Sequence, residues 1–252
     1  MKPMICRMAI GSWERAELAS WTIQATMRAL KMPGISDVVN GFLDVCPTPV
    51  ARNRAVLLAR ANKCDVLCCV DADTLPHPDF LEAALLELRT GQEDKVVVCP
   101  CVCTGDTNHV QVFRWGTRQD ATDDDQLGRL EYVSREESAR LQGREEVACA
   151  GAGAFVCHTR VFDRIAPPWF DYEYTDDFRA TLASTEDIRC FRDLSLAGVK
   201  FVCLWSHWAT HYKTIALVRP VALTVGDVNE RYRRFMLQEA ARKAPTSLNE
   251  TS

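Results

Sequence analysis

The stretch DVLCCVDADTLP, residues 65–76, contains the features that decide the fold. The apolar run over residues 66–70 is typical of a strand that is buried on both faces of a parallel sheet. This run stops at Asp71-Ala72-Asp73, and Pro76 follows as a chain breaker. Because ligands of open α/β sheets bind at the carboxyl ends of the strands, the two aspartates are predicted to lie at a binding site.

Strand and helix patterns alternate on both sides of this stretch. Strands are expected at residues 4–10, 38–45, 65–70, 95–102 and 200–204, with helical patterns between them that include residues 50–62 and 80–88. The order βαβαβ predicts an α/β fold, with a Rossmann-like doubly wound, mostly parallel sheet and helices on both faces. Apolar residues at helical spacing predict the inward face of the first helix, namely Ala16, Ala19, Ile23, Met27 and Leu30.

The chain is predicted to be one domain with four consecutive parts. Residues 1–103 end after the D-x-D strand and the next strand. Residues 104–147 are polar, include an acidic run at residues 123–125, and predict a variable insertion or lid. Ordered structure is expected again over residues 148–226, and residues 227–252 are expected to form a C-terminal helix and tail.

Composition narrows the class of protein. The 252 residues carry a formal net charge of −4, which argues against a protein that coats nucleic acid, because such proteins carry a basic face. No apolar run approaches the roughly 20 residues that cross a bilayer. The N-terminal residues also lack the apolar core of a secretory signal. We therefore expect a cytoplasmic protein without a transmembrane segment.

The twelve cysteines are predicted to be free thiols. Several lie inside apolar runs, where a cysteine behaves as a small hydrophobic residue, and reduced thiols suit the cytoplasm. The run CPCVC at residues 99–103 suggests zinc, because three thiols on a strand would share one face. A structural role is favoured, since the sequence has no C-x-x-C pair.

Asp71 and Asp73 are the first candidate functional residues. Two carboxylates one residue apart can bind a hard divalent cation through oxygen, and such a cation would neutralise a diphosphate leaving group. The alternative is a solvated turn in which an aspartate caps the local backbone. Their position directly after a buried strand favours the functional interpretation.

Glu186 and Asp187 form a second acidic pair. Ser184 and Asp187 fit a capping box, and acidic residues in a first turn suit the helix dipole, so the pair can be structural. The functional alternative is a general base that takes a proton from an acceptor hydroxyl.

Three further groups are open to two interpretations. His207 and His211 can be structural, or one of them can be a metal ligand beside the acids. Arg52 lies in the first turn of a helix, where it can bind an anion or simply be solvated. Gly151 and Gly153 permit close approach of the backbone to a ligand, although a single G-x-G is weak evidence.

Taken in order, these features resemble the GT-A glycosyltransferases, specifically family-2-like enzymes of bacterial and phage type. Four blocks carry the resemblance: VARNRA at 50–55, VLCCVDADTLP at 66–76, GAGAF at 151–155 with Trp169-Phe170 after it, and TEDIRCF at 185–191 with the later Gly198 and His211. The resemblance covers roughly residues 4–215. It implies a GT-A type fold in which residues 1–103 bind a nucleotide sugar and residues 148–226 hold the acceptor and catalytic half.

The resemblance also implies an activity, which is metal-dependent transfer of a sugar from a nucleotide-diphosphate sugar to an acceptor hydroxyl, with inversion. Asp71 and Asp73 would contact the diphosphate and an Mn²⁺ or Mg²⁺ ion. His211 would complete the metal shell, and His207 is the second choice. The donor is expected to be a UDP-sugar first and a GDP-sugar second.

The remaining roles follow from the same resemblance. Arg52 would lie near the nucleotide, while Gly151 and Gly153 would line the donor sugar and acceptor site. Asp187 would be the catalytic base, with Glu186 second. The resemblance does not decide whether the acceptor is a glycan, a lipid-linked intermediate, a protein or a modified nucleobase.

Three other classes of protein compete with this interpretation. A haloacid-dehalogenase-like phosphatase also has an apolar strand that ends in D-x-D, but here Thr74 follows Asp73 directly, one position early. A non-catalytic module that binds sugar nucleotides would retain the fold without turnover. A nucleotidyltransferase would need a glycine-rich, basic loop after the first strand, which Gly11-Ser12-Trp13-Glu14 does not supply.

Overall fold

A computed structural model of the chain describes residues 1–9, 15–44, 47–102, 108–116, 130–174, 182–213 and 216–218. The elements of the first half are β1 (Pro3–Met8), α1 (Ala16–Ala29), β2 (Val39–Leu43), α2 (Thr48–Ala61), β3 (Val66–Asp71), β4 (Thr74–Leu75), α3 (Phe80–Leu88) and β5 (Lys95–Val98). Those of the middle are β6 (His109–Trp115), β7 (Leu130–Ser134), α4 (Arg135–Ser138), β8 (Arg144–Val147), β9 (Cys149–Ala150) and β10 (Ala154–His158). The last elements are a 3-10 helix (Thr159–Asp163), β11 (Glu173–Tyr174), β12 (Leu182–Ser184), α5 (Glu186–Leu196), β13 (Lys200–Leu204), β14 (Thr210–Lys213) and β15 (Ala216–Val218).

Seven strands form the central sheet in the order β2-β1-β3-β10-β5-β13-β8. The strands β2, β1, β3, β5 and β13 run in one direction, and β10 and β8 run against them. In β3, every residue from Val66 to Val70 is buried, as the continuous apolar run predicts for an inner strand. The predicted α/β fold with a mostly parallel sheet is confirmed.

Helices cover both faces of this sheet. The helices α2 and α5 pack on one face, where Ala55 and Phe191 meet strand residues such as Cys69 and Phe201. On the other face, α1 and α3 pack against residues such as Cys68 and Val70. Successive residues of β3 therefore point into different cores, which is the two-residue alternation of a strand. This arrangement leaves the carboxyl end of β3 between the helix layers.

The inward face of α1 differs from the sequence prediction. Ile23, Met27 and Leu30 are exposed, with 62%, 57% and 49% of their surface accessible. The buried face consists of Leu18, Trp21, Thr22, Ala25 and Ala29. Both stripes have helical spacing, but only the buried stripe contains a large aromatic side chain, that of Trp21. The indole nitrogen of Trp21 also donates a hydrogen bond to the His77 carbonyl, which secures this orientation.

Three smaller sheets surround the central one in the described part of the chain, namely β4-β14-β15, β6-β7-β9 and β11-β12. The predicted insertion over residues 104–147 contains β6, β7, α4 and β8, and β8 pairs with β13 at the edge of the central sheet. The acidic run at residues 123–125 and the predicted C-terminal helix at 227–252 lie outside the described residues. The four-part division therefore stays a prediction.

Ten cysteines in the described segments are buried free thiols. Cys99 and Cys101 belong to this buried set, while Cys103 lies outside the described residues. These thiols fill the core as small apolar groups, as predicted. Within the same segments, no helix combines the length and apolar character that crossing a membrane requires.

Candidate functional site

The D-x-D stretch forms a turn at the carboxyl end of β3, with its backbone held from two sides. The Asp71 amide donates to the Gly153 carbonyl at 2.8 Å, and the Ala72 amide donates to the Met8 carbonyl at 2.8 Å. A Cβ atom at Gly153 would lie 3.0 Å from Oγ1 of Thr74, so the two chain segments are tightly packed there. The predicted approach of a ligand to Gly153 stays a prediction.

Arg52 joins the two acidic pairs. Its Nη2 lies 2.8 Å from Oδ2 of Asp71, its Nε lies 3.1 Å from Oε1 of Glu186, and its Nη1 donates to the Ala152 carbonyl at 2.8 Å. Only 3% of Arg52 is exposed. Burial alone would lower the pKa of Arg52, but the carboxylates of Asp71, Asp187 and Glu186 raise it above its usual value. The guanidinium is thus a fixed positive charge inside the site.

Asp71 has one carboxylate oxygen without a partner. Its Oδ2 contacts Arg52, but its Oδ1 is buried and accepts no hydrogen bond from any described residue. Burial raises the pKa of Asp71 to about 7, against the lowering effect of the Arg52 charge. A buried acceptor without a donor costs free energy, so this oxygen is suited to a ligand group that donates or to a cation.

Asp73 and His211 lie side by side although the two residues are 138 positions apart in the chain. Strand β14 pairs with β4, and the register His211↔Thr74 places the imidazole beside Asp73. Nε2 of His211 is 3.3 Å from Oδ2 of Asp73, and Nδ1 is 3.4 Å from the Val102 carbonyl. Because a carbonyl and a carboxylate both accept, a proton on Nδ1 would be donated to Val102 and a proton on Nε2 to Asp73.

The contact with Asp73 favours the positively charged form of the His211 imidazole. Burial would lower the pKa of His211, but its contacts with Asp73 and Cys101 raise it to about 10, which favours a proton on Nε2 facing the carboxylate. A divalent cation can replace that proton, and the Val102 carbonyl would then orient the ring as an outer partner. Among the described residues, no group of three His, Cys, Asp or Glu side chains could hold a metal alone. Asp73 and His211 by themselves supply one oxygen donor and one nitrogen donor at this position.

His207 has different surroundings. It lies in the turn after β13, and its ring centroid is 5.1 Å from that of His77 in an edge-on contact. Burial is the main cause that lowers the pKa of His207. The structure therefore places His211, rather than His207, in contact with the Asp73 carboxylate.

Glu186 and Asp187 form the first turn of α5, with Thr185 as the N-cap residue. Oδ2 of Asp187 accepts from the Ala152 amide at 3.0 Å, and Oδ1 accepts from the Thr185 hydroxyl at 2.6 Å. Burial and the neighbouring Asp187 raise the pKa of Glu186, while Arg52 opposes the shift. The Ala152 peptide is thus held at its carbonyl by Arg52 and at its amide by Asp187, which fixes the loop between Gly151 and Gly153.

A cavity of about 290 Å³ opens beside this acidic pair. Its lining includes Gly151, Glu186 and Asp187 together with a second group, Gln111, Phe113 and Tyr132. The second group comes from β6 and β7 and was missed in the sequence. The alternation of Val110 and Val112 with polar neighbours signals a strand there, but nothing local indicates which distant residues that strand faces.

The other residues of the VARNRA block have structural contacts or face solvent. Asn53 accepts hydrogen bonds from the Trp169 and Phe170 amides at 3.1 and 3.2 Å and donates to the Phe170 carbonyl at 2.7 Å. Arg54 is exposed. The block therefore joins α2 to the Trp169-Phe170 turn through Asn53 and to the acidic site through Arg52.

The comparisons with known proteins give information about the fold of the chain only. No known family model and no curated protein sequence matches it. The structure is similar to that of A197 from STIV, with a TM-score of 0.52 and 17% identity over 84% of this chain and 86% of that chain. This similarity shows a shared fold and nothing about activity.

Two further solved structures have weaker similarity. GalNAc-T7, solved with UDP, GalNAc and Mn²⁺, has a TM-score of 0.47 and 9% identity over 96% of this chain, which spans 51% of that structure. A mannose-1-phosphate geranyltransferase from Thermus thermophilus has a TM-score of 0.37 and 15% identity over 81% of this chain and 74% of that chain. TM-scores this low support no functional argument. What the chain does must therefore be inferred from its site.

Proposed function

We propose that the protein is a metal-dependent glycosyltransferase of GT-A type, family-2-like, that transfers a sugar from a nucleotide-diphosphate sugar to an acceptor hydroxyl. The observation that carries this proposal is the contact between Asp73 and His211 at the carboxyl end of the D-x-D strand. Arg52 connects that end of the strand to a second acidic pair, Glu186 and Asp187, beside an open cavity. A cation site and a base site joined in this way suit the transfer of a group from a diphosphate.

The donor half of the proposed site consists of Asp71, Asp73 and His211. Asp73 and His211 would hold an Mn²⁺ or Mg²⁺ ion, which supplies positive charge to stabilise the diphosphate leaving group. Asp71, whose Oδ1 is buried without a hydrogen-bond partner, would be the second carboxylate of the metal and diphosphate site. Gly151 and Gly153 would line the donor sugar from the loop that Arg52 and Asp187 hold at Ala152. UDP is the first choice of nucleotide and GDP the second.

The acceptor half consists of Asp187, with Glu186 behind it. Asp187 takes the proton from the acceptor hydroxyl as the acceptor oxygen forms a bond to the anomeric carbon of the donor sugar. The bond between that carbon and the diphosphate oxygen breaks, and the nucleoside diphosphate leaves with the electron pair. Attack from the face opposite the leaving group inverts the anomeric centre. The positive charge of Arg52 stabilises the anionic forms of Asp71 and Glu186, the two carboxylates that it contacts.

We also propose a cytoplasmic location. The ten described cysteines are buried free thiols, and such thiols persist in a reducing compartment. This composition suits a donor such as a nucleotide sugar, which the cell makes in the same compartment.

Thermal unfolding in the presence of nucleotides tests the proposed donor site. The full chain is heated with UDP, GDP, CDP or ADP, each with Mn²⁺ and again with EDTA. A ligand that binds only the folded state raises the unfolding temperature. We expect one nucleotide to raise it with Mn²⁺ and to lose that effect with EDTA. The proposal fails if no nucleotide shifts the unfolding temperature under either condition.

A further inference from the structure

The cavity beside Glu186 and Asp187 has a second wall that the proposed mechanism does not use. This wall comes from β6 and β7, where Phe113 pairs with Tyr132 across the two antiparallel strands. The two ring centroids are 4.3 Å apart and the ring planes are tilted by 41°. Phe113 is 5% exposed and Tyr132 is 50% exposed. Tyr132, whose ring also lies 5.4 Å from the His109 ring, is therefore a half-exposed aromatic residue of the cavity lining that packs against the buried Phe113.

Gln111 adds a polar side chain to this wall, and two hydrogen bonds hold its backbone in place. Its backbone amide donates to the Cys101 carbonyl at 2.7 Å, and its carbonyl accepts from the Gly151 amide at 2.9 Å. A Cβ atom at Gly151 would lie 2.8 Å from Oε1 of Gln111. The absence of a side chain at Gly151 thus makes room for the Gln111 amide at the cavity.

The charge of the lining selects against an anionic occupant. Glu186 and Asp187 contribute carboxylates, and no lysine or arginine belongs to the lining in the part of the chain that the structure describes. Arg52, which contacts Glu186, already binds Asp71 and the Ala152 carbonyl as well. Carboxylate and amide oxygens accept hydrogen bonds from hydroxyl groups and repel phosphate. The cavity is therefore suited to a neutral molecule that is rich in hydroxyl donors.

We propose that the acceptor is a neutral sugar whose ring packs on Tyr132 while its hydroxyls bind Gln111 and the Glu186–Asp187 pair. A sugar ring has an apolar face of C–H groups and a rim of hydroxyls, which matches a lining that combines an aromatic side chain with carboxylate and amide oxygens. This inference rests on the proposed function and narrows its acceptor to carbohydrate.

Binding of simple sugars to the full chain tests the inference. Saturation-transfer NMR is measured with methyl hexopyranosides, hexose 6-phosphates and a short single-stranded oligonucleotide, without nucleotide and with UDP and Mg²⁺. The variants are Tyr132→Ala, Tyr132→Phe and Gln111→Ala. Phe42→Ala serves as the matched control, because Phe42 is a similarly exposed aromatic residue on the edge strand β2. The UDP-dependent thermal shift is recorded for every protein.

We expect methyl glycosides to bind and the charged probes not to bind. Tyr132→Ala and Gln111→Ala should weaken glycoside binding by about tenfold, while Tyr132→Phe and Phe42→Ala leave it unchanged. Absence of glycoside binding, preference for a phosphorylated probe, or equal binding by Tyr132→Ala would overturn the carbohydrate assignment. Failure of the proposed function is separate, since no nucleotide then shifts the unfolding temperature of any of these proteins, including the wild type.

Discussion

Nε2 of His211 lies 3.3 Å from Oδ2 of Asp73, although the two residues are 138 positions apart in the chain. The pairing of β14 with β4 creates this contact, because it aligns His211 with Thr74. An imidazole proton donated by Nε2 to the carboxylate, or a cation held by both atoms, accounts for this contact. The contact therefore places an imidazole beside the D-x-D turn, where we propose that the metal binds.

Replacing either residue of this pair should abolish tight binding of the metal. Asp73→Asn and His211→Gln each remove one ligand while retaining the size of the side chain. We expect the affinity for Mn²⁺ in the presence of UDP to fall by at least about 100-fold in each variant. Electron paramagnetic resonance of free Mn²⁺ during a titration measures this affinity directly.

His207→Gln is the control for that titration. His207 contacts His77 and is not a partner of Asp73, so its replacement should leave the affinity for Mn²⁺ unchanged. Equal loss of affinity in His207→Gln and His211→Gln would show that the imidazole of His211 has no special role.

Replacing Asp187 should separate chemistry from donor binding. Asp187→Asn keeps an oxygen that can accept from the Ala152 amide but removes the basic carboxylate. We expect the transfer rate to fall by about 10²- to 10⁴-fold, while the UDP-dependent thermal shift is retained. Wild-type turnover in this variant would show that Asp187 is not the base, and Glu186→Gln would then be the next variant to assay.

Replacing Arg52 should destabilise the folded state because its partners are buried. Arg52→Met leaves the carboxylates of Asp71 and Glu186 without their shared cation, which costs about 3–5 kcal/mol when one member of a buried ion pair is removed. Urea denaturation measures this change in the free energy of unfolding.

Arg60→Met is the matched control on the same helix. Arg60 is about one third exposed and pairs with the exposed carboxylate of Asp163, so its removal should cost about 1 kcal/mol or less. If Arg52→Met and Arg60→Met lose similar free energy, Arg52 does not join the two halves of the site as described.

Asp94 should make the stability of the protein depend on pH. Arg160 Nε lies 2.6 Å from Oδ1 of Asp94, and Arg164 Nη2 lies 2.7 Å from Oδ2. Burial would raise the pKa of Asp94, but these two arginines lower it below its usual value. Stabilisation by the ionised carboxylate is therefore complete above the unfolded pKa of about 4 and is lost as the pH falls through the folded pKa.

Asp94→Asn tests this dependence in urea denaturation at several pH values. At pH 7 the variant should lose about 1 kcal/mol of the free energy of unfolding, since both arginines are largely solvated. The difference from the wild type should shrink as the pH falls below about 4. A difference that stays constant from pH 7 to pH 3 would contradict the role of the Asp94 charge.

Local signals in the sequence were sufficient to predict the centre of the fold. The unbroken apolar run before Asp71 indicates an inner strand because only such a strand is buried on both faces. The face of α1 was predicted wrongly for an equally local reason. Its sequence has two apolar stripes. The burial of Trp21 and its hydrogen bond to the His77 carbonyl determine which stripe faces the core.

The long-range parts of the site could not be predicted in the same way. The local sequence alone does not separate His207 from His211; the resemblance favours His211, and the pairing of β14 with β4 places it beside Asp73. Gln111 and Tyr132 line the cavity because the β6–β7 pair faces the start of α5, a contact between segments that are distant in the chain. Sequence patterns indicate strands and turns, but they contain little information about which of these elements meet.

Release of nucleoside diphosphate from nucleotide sugars tests the central claim most directly. The wild-type chain and Asp73→Asn are incubated with UDP- and GDP-sugars and a methyl glycoside acceptor, with Mn²⁺, with Mg²⁺ or with EDTA. The account predicts release from one class of nucleotide sugar by the wild type with a divalent metal, and none with EDTA or with Asp73→Asn. No release from any nucleotide sugar, or equal release with EDTA, would contradict it.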